Sequence, residues 1–196
     1  MKYIVGIDEV GRGPLAGPVT VCVVSCEASL YKRLTRDKKL PPLGKDSKKL
    51  SPQSRENYAQ VLKKSAITFA IIHISNKIID TKGLSFAIKK AMGDGIKKLK
   101  LSGVDCDVRL DGGLKAPAEF KKQKTIIKGD EKEKIIAWAS ILAKVSRDGL
   151  MTKLHKNFPQ YNFHIHKGYG TQKHREAIRT YGLSEIHRKS FCKHIF

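Results

Sequence analysis

Runs of apolar and β-branched residues predict five strands along the chain. These runs lie at residues 2–8, 19–25, 66–75, 104–111 and 125–128. The fourth run alternates apolar and charged side chains, which is typical of a strand with one buried and one polar face. Glycines and prolines between residues 11 and 18 separate the first two runs and favour a hairpin there.

Three longer segments have the apolar period of a helix. Ser51 and Pro52 are typical of an N-cap and a first helical residue, and their helix is predicted to reach about residue 64. The second segment, 84–101, is weakened by two internal glycines. The third runs from 131 to about 156, with an apolar stripe formed by Ile135, Trp138, Ala139, Leu142, Val145 and Met151. Strands and helices alternate after the hairpin, so we predict an α/β fold with a mixed sheet.

The character of the chain changes near residue 155. Six of the seven histidines lie at or beyond this position, and glycine, tyrosine and basic residues replace the long apolar runs. We therefore predict a main domain over residues 1–158 and a small helical extension over residues 159–196 that docks on it.

The balance of charge indicates the kind of partner. The 196 residues include 39 Lys and Arg against 18 Asp and Glu, a formal net charge of +21. Such an excess predicts a polyanionic partner, with nucleic acid favoured over an anionic membrane surface. The lysines form scattered pairs rather than one long block, so we expect the charge to cover a folded body. The same excess favours a monomer.

Neither a membrane helix nor a secretory signal is predicted. The longest apolar runs, 19–24 and 66–72, are far shorter than the roughly 20 residues that a membrane helix needs. The N-terminal apolar run stops at Asp8, too early for a signal peptide. The four cysteines form no Cys-x-x-Cys pair, and this usage favours a reducing compartment. We therefore expect the protein in the cytoplasm.

Four acidic residues are candidates for chemistry. Asp8 and Glu9 close the first apolar run, Asp111 ends the alternating run, and Asp148 lies in the strongest predicted helix. Each taken alone is consistent with a solvated acid, a turn residue or an ion-pair partner. Together they predict a cluster of oxygen ligands for Mg²⁺ or Mn²⁺. Two such ions can activate a water and stabilise the leaving oxygen in phosphodiester cleavage.

Two further segments are candidates for substrate binding. Gly11, Arg12 and Gly13 do not form a dinucleotide fingerprint, because a second strand rather than a helix follows them. Glycine at these positions lets the backbone approach a ligand closely. Ser47 and Lys48 follow a Pro-Pro-Leu-Gly loop, where phosphate binding and simple solvation are equally consistent with the local sequence.

Tyr169 lies between two glycines in a basic segment, an unusual place for a core tyrosine. Its position is suited to contact with a sugar or a base. The nearby His164 and His166 lack the Cys or Glu partners of a zinc site. We interpret these histidines as surface residues or residues that face nucleic acid.

In these motifs the chain resembles type 2 ribonuclease H (ribonuclease HII). The matching stretches occur in the family's order and cover nearly the whole chain: residues 6–19, 46–51, 110–112, 139–148, 166–171 and 187–191. Val10 and Trp138 depart from the family pattern, and both are interpreted as packing variations. The first strand begins at residue 2, so we expect no extra N-terminal domain of the kind that the related type 3 enzymes carry.

The resemblance implies a ribonuclease H-like catalytic domain with a five-stranded mixed sheet, flanking helices and a C-terminal helical extension. It implies an endonuclease that acts on RNA in RNA/DNA hybrids and on single ribonucleotides within duplex DNA. Cleavage would fall on the 5′ side of the ribonucleotide and leave 3′-hydroxyl and 5′-phosphate ends.

The resemblance also implies roles for individual residues. The metal-binding carboxylates would be Asp8, Glu9, Asp111 and Asp148. The substrate-binding residues would be Gly11, Arg12, Gly13, Ser47, Lys48 and Tyr169. The glycine–arginine turn would sense the 2′-hydroxyl through its backbone, and the tyrosine would stack on the sugar at the RNA–DNA junction. The Ser-Lys pair would lie near the substrate phosphates.

Two other functions are consistent with part of the sequence. Composition alone favours a basic nucleic-acid-binding protein without catalysis, such as a ribosome-associated factor. Four acids at strand and helix ends argue against it, because a pure binder would avoid acids that face phosphate. The second alternative is a nuclease of the same fold with another substrate, and only the resemblance argues against that one.

Overall fold

The computed structural model describes residues 1–41 and 50–195, and its strands form one five-stranded sheet. The strands are β1 (Tyr3–Val10), β2 (Val19–Glu27), β3 (Thr68–Ile74), β4 (Cys106–Asp111) and β5 (Gln123–Ile126). The helices are α1 (Ala28–Leu34), α2 (Pro52–Lys64), α3 (Asn76–Lys82), α4 (Leu84–Lys98), α5 (Gly129–Lys132), α6 (Lys134–His155), α7 (Phe163–His166) and α8 (Gln172–Tyr181). One-turn 3-10 helices lie at Pro159–Tyr161 and Lys189–Phe191.

The sheet is mixed, which confirms the predicted fold class. Its strand order is β3-β2-β1-β4-β5. The first three strands in sequence form antiparallel pairs, β1 with β2 and β2 with β3. β4 pairs in parallel with β1, and β5 pairs in parallel with β4. The parallel half places the C-terminal ends of three strands at one edge, where open α/β sheets form their sites.

Helices cover both faces of the sheet. α4 packs on one face and buries Ala87, Ile88, Ala91 and Met92 there. α6 packs on the other face, where α2 packs against it and α1 packs against β1 and β2. Every residue from 135 to 143 is buried. Gly6 of β1 allows this contact, because a Cβ there would lie 2.3 Å from the carbonyl oxygen of Ile135.

Two short helices are not predicted by the sequence pattern, α1 and α3. Each is seven residues long, about two helical turns, so an apolar period is too short to stand out. α1 contributes Tyr31, whose ring packs edge-on against Trp138 at 5.7 Å between centroids. The unusual tryptophan of α6 therefore fills the space beneath α1.

The C-terminal residues pack against the main body through their own apolar cluster. That cluster joins Phe163 and Ile178 to Leu15 and Met151. α3 binds the same segment from the sheet side, where Asp80 accepts the N–H groups of Lys189 and Ser190 at 2.9 and 3.0 Å. The expected division into a main domain and a helical extension at residues 158 and 159 stays a prediction.

Among the described helices, none combines the length and apolar character needed to cross a membrane.

Candidate active site

The register of the parallel strands brings acids to one edge of the sheet. β1 and β4 pair from Tyr3 with Cys106 to Ile7 with Leu110. Asp8 is the next residue on β1, and Asp111 is the next residue on β4 and its last. Glu9 lies beyond the last residue of β4, so β4 does not flank β1 at this position. These acids line a cavity of about 660 Å³, whose further walls are Val10, Gly11, Arg12, Gly13, Arg55, Asp130, Ser140, Lys144 and Tyr169.

Asp8 lies at the base of this cavity and is 5% exposed. Its Oδ1 accepts the N–H of Glu9 at 2.7 Å, and the Ser140 side chain of α6 hydrogen-bonds its carboxylate. Burial raises the pKa of Asp8 well above its usual value, and the charges of Glu9 and Asp111 raise it further. The carboxylate is thus held in a place where its negative charge is costly without a cation.

Glu9 is bound through one of its two oxygens. Arg12 donates from Nη1 to Glu9 Oε1 at 2.7 Å. Oε2 is buried and has no hydrogen-bond partner among residues 1–41 and 50–195. Burial raises the pKa of Glu9, while the Arg12 guanidinium opposes that rise. A buried carboxylate oxygen without a donor is suited to a metal ion.

Asp130 is an acid of this cavity that the sequence pattern does not single out. It is 8% exposed and follows Gly129, whose N–H donates to Asp111 Oδ1 at 2.6 Å. In the sequence it belongs to a charged run, 128–133, which has the composition of a solvated helix start. A usable signal exists nevertheless, because an acid that closely follows β5 lies at the same edge as an acid that ends β4.

Asp148 does not line the cavity that contains the other three predicted ligands. It lies on α6 eight residues after Ser140, which corresponds to about 12 Å along a helix axis. Its Oδ1 accepts Lys144 Nζ at 3.0 Å, and it lines a neighbouring groove. The structure therefore separates Asp148 from the expected cluster and places Asp130 in the cavity.

That neighbouring groove has a volume of about 890 Å³ and is lined by many basic side chains. Its basic lining residues are Arg55, Lys63, Lys144, Lys153, Lys156 and Lys167, and we call it the basic groove. Arg55, Lys144 and Tyr169 line both the groove and the acidic cavity. A polyanion in the groove would therefore continue directly into the cavity.

Tyr169 lies where the cavity and the basic groove meet, and 39% of it is exposed. Lys144 Nζ and the Arg147 guanidinium lie 5.7 and 5.8 Å from its ring centroid. Its carbonyl oxygen is bound by His174 Nδ1 at 2.9 Å. The backbone is thus fixed, and the partly exposed ring is accessible to a ligand.

The structure describes some of the other predicted binding residues but not all of them. Gly11, Arg12 and Gly13 line the cavity beside the acids. Ser47 and Lys48 lie outside the described residues. His164 and His166 line the basic groove, and His166 Nε2 is 2.7 Å from the Tyr161 carbonyl oxygen.

The donor set of the cavity fits a hard divalent cation. Within the described part of the chain, no three His, Cys, Asp or Glu side chains are grouped closely enough to hold an ion as they stand. The cavity nevertheless offers oxygen donors from Asp8, Glu9, Asp111 and Asp130. One of these oxygens, Glu9 Oε2, is already buried without a donor. Such oxygen ligands favour Mg²⁺ or Mn²⁺ over softer metals.

Solved structures share this fold. The crystal structure of ribonuclease H2 from Pyrococcus horikoshii aligns with a TM-score of 0.73 and 23% identity, over 98% of this chain and 96% of that one. The crystal structure of Bst-RNase HIII in complex with Mn²⁺ aligns with a TM-score of 0.64 and 18% identity, over 92% of this chain and 63% of that one. The five-stranded mixed sheet and its flanking helices are thus the fold of the ribonuclease H2 and H3 structures.

The sequence comparisons identify the family. The family model for ribonuclease HII matches residues 5–194. Ribonuclease HII of Caldicellulosiruptor saccharolyticus is 42% identical over 99% of this chain and 89% of its own length. The chain belongs to the ribonuclease HII family, so it is a type 2 ribonuclease H, a divalent-metal-dependent endonuclease active on RNA/DNA hybrids.

Proposed function

We propose that this enzyme also nicks duplex DNA on the 5′ side of a single embedded ribonucleotide, leaving 3′-hydroxyl and 5′-phosphate ends. The main support is that the turn of Gly11, Arg12 and Gly13 lines the same cavity as the acids. A backbone turn beside the reacting phosphate is able to recognise one 2′-hydroxyl without a longer RNA segment. Tyr169 lines the same cavity and would lie against the sugar at the junction.

The carboxylates of Asp8, Glu9, Asp111 and Asp130 would hold the metal ions. When two divalent ions are bound, they supply an activated water and stabilise the leaving oxygen. The chain itself holds the carboxylates in place, through Ser140 at Asp8 and the Gly129 amide at Asp111. Asp148 was expected in this set, and its bond to Lys144 instead supports a part in shaping the basic groove. Mg²⁺ and Mn²⁺ both fit such ligands.

The substrate duplex would lie along the basic groove, with its cleaved strand at the cavity. The cationic lining offers contacts to several phosphates, which position a duplex without reading its sequence. Ser47 and Lys48 remain proposed phosphate contacts through their motif. Cytoplasmic location and a monomeric state also remain predictions.

Cleavage of a labelled DNA duplex with one ribonucleotide tests this proposal. We expect a single nick 5′ to the ribonucleotide with Mg²⁺ or Mn²⁺ and none with EDTA. The matched all-DNA duplex should stay intact, and a continuous RNA/DNA hybrid should be cut. Cleavage of the hybrid without the nick would overturn the proposed junction activity and leave the family activity in place.

A further inference from the structure

Two arginines outside the acidic cavity, Arg147 and Arg188, hold the loop of residues 11–18 that carries the glycine–arginine turn. Both side chains are 0% exposed. Among the described residues neither forms an ion pair. Burying a guanidinium without a carboxylate is costly, so its hydrogen bonds must compensate. Those bonds all go to backbone carbonyl oxygens.

Arg188 binds the loop at both of its ends. Its Nη2 and Nη1 donate to the carbonyl oxygens of Gly11 and Arg12 at 2.7 and 2.9 Å. Its Nε donates to the carbonyl oxygen of Gly17 at 2.9 Å. Burial and the nearby charge of Arg147 lower its pKa to about 9, so the group still carries its charge at neutral pH. One planar guanidinium thus fixes three carbonyl directions at once.

Arg147 joins the same loop to the segment that carries Tyr169. Its Nε and Nη2 donate to the carbonyl oxygens of Pro18 and Ala16 at 2.9 and 3.2 Å. Its Nη1 donates to the carbonyl oxygen of Lys167 at 3.0 Å. Gly11 packs on this arginine, since a Cβ there would lie 2.3 Å from Arg147 Nε.

The direction of these carbonyls decides where the loop amides point. In a trans peptide the C=O of one residue and the N–H of the next point in opposite directions. With the carbonyls of Gly11 and Arg12 turned to Arg188, the N–H groups of Arg12 and Gly13 turn away from it. Within the described residues these two N–H groups donate to no protein acceptor. Both residues line the acidic cavity, so the free donors are available to a ligand there.

We propose that Arg188, supported by Arg147, is a positioning residue for ribonucleotide recognition: it fixes the loop so that the Arg12 and Gly13 amides are preset for the 2′-hydroxyl. The proposal rests on the proposed function, in which this turn recognises that hydroxyl. Preset donors avoid the ordering cost that a mobile loop would pay on binding. Lysine at position 188 keeps the charge and loses the planar three-carbonyl geometry.

Arg188→Lys therefore tests the proposal, with Arg179→Lys as the matched control. Arg179 also donates to a backbone carbonyl of the extension, that of Ile195, at 3.3 Å. We expect Arg188→Lys to lower kcat on a single embedded ribonucleotide by about 100-fold, the cost typical of a small misplacement. The Kd for an all-DNA duplex should stay within about threefold, because phosphate contacts dominate it. Arg179→Lys should leave both constants unchanged.

Binding in EDTA separates positioning from general damage. The wild-type enzyme should bind a duplex with one ribonucleotide more tightly than the matched all-DNA duplex, and Arg188→Lys should lose that preference. Equal losses on both duplexes, or an unchanged kcat, would overturn the proposal. If the wild-type enzyme cuts a hybrid and does not nick the embedded ribonucleotide, the proposed function fails. In that case the kcat of Arg188→Lys on the hybrid still shows whether Arg188 positions the loop for cleavage.

Nuclear magnetic resonance of the wild-type enzyme tests the same idea if the variant does not fold. We expect amide order parameters above about 0.8 for Arg12 and Gly13 in the absence of substrate, as in rigid backbone. Values below about 0.6 would show a mobile loop and would overturn the proposal whatever the variants do.

Discussion

Asp130 and Asp148 carry the same side chain in different surroundings. Asp130 lines the cavity with Asp8, Glu9 and Asp111, whereas Asp148 pairs with Lys144 in the basic groove. We expect Asp130→Asn to reduce metal-dependent cleavage of an RNA/DNA hybrid by about 1,000-fold or more, since ligand loss removes the chemistry that the ions supply. Asp148→Asn should retain activity within about tenfold, because it removes only a partly exposed ion pair.

Hybrid binding in EDTA is the control for both variants, and it should be unchanged because the basic surface is intact. Asp8→Asn provides the reference for a lost ligand and should match Asp130→Asn. The reverse ranking, with Asp148→Asn inactive and Asp130→Asn active, would show that Asp148 is the fourth metal ligand, as expected from the sequence.

Tyr169 should act through its ring. Stacking of an aromatic side chain on a nucleotide contributes about 1–3 kcal/mol, so Tyr169→Ala should weaken nicking at a single ribonucleotide by roughly 5- to 150-fold. Tyr169→Phe keeps the ring and should keep most of the activity. Tyr181→Ala is the control, because that tyrosine is 60% exposed on the same extension and does not line the cavity. Nicking by Tyr169→Ala at the wild-type rate would remove this residue from the site.

At the scale of elements, a chain of hydrogen bonds ties the C-terminal extension to the site. The N–H of Ser184 donates to His187 Nδ1 at 2.9 Å, which assigns the proton of that ring to Nε2. His187 Nε2 then donates to His174 Nε2 at 3.0 Å, and His174 Nδ1 donates to the Tyr169 carbonyl oxygen at 2.9 Å. Both rings are neutral in this arrangement.

Acid should therefore loosen this element. Burial, helped by the nearby His166, lowers the pKa of both His174 and His187 to about 4. For His174 the neighbouring His187 and Arg175 act in the same direction. In the unfolded chain the pKa of a histidine is about 6.5. Between these two pKa values the unfolded state binds more protons than the folded state. The contribution of the two neutral rings to the free energy of unfolding is therefore fully present above about pH 6.5 and is lost as the pH falls towards 4.

Melting temperatures measured from pH 7 to pH 4.5 check this prediction. His174→Gln should make the fall in Tm with acid shallower, because it removes one of the two titrating rings. His194→Gln, at an exposed histidine, should leave the slope unchanged. An identical slope for the wild-type enzyme and His174→Gln would contradict the assignment.

At the scale of the whole molecule, the charge of +21 sets how the enzyme meets its substrate. The affinity for an RNA/DNA hybrid should fall steeply with salt, because each phosphate contact releases counterions. The double variant Lys153→Ala and Lys156→Ala should reduce the slope of log K against log salt by about 2, roughly one for each lost contact. These lysines line the basic groove.

Lys89→Ala with Lys90→Ala gives the matched control, with the same change of net charge. These two lysines lie on α4, on the other face of the sheet from the basic groove. Their removal should change the slope much less. Equal effects of both pairs would show that general charge, rather than the groove, governs binding.

The sequence alone determined the elements whose signals are local. The alternating run predicts β4, and Ser51 with Pro52 marks the start of α2, because strand period and helix capping depend on near neighbours. The motifs also identified the family, and the net charge indicated a polyanionic partner. Asp8, Glu9 and Asp111 were recognisable as candidates since each lies where an apolar run ends.

Tertiary structure decided which of these residues share a site. Asp130 joins Asp111 because β5 pairs in parallel with β4, and Asp148 is separated because α6 carries it about 12 Å past Ser140. The carbonyl contacts of Arg188 span more than 170 positions in the chain. Strand register and long-range hydrogen bonds depend on the whole packed fold, so no local pattern in the sequence specifies them.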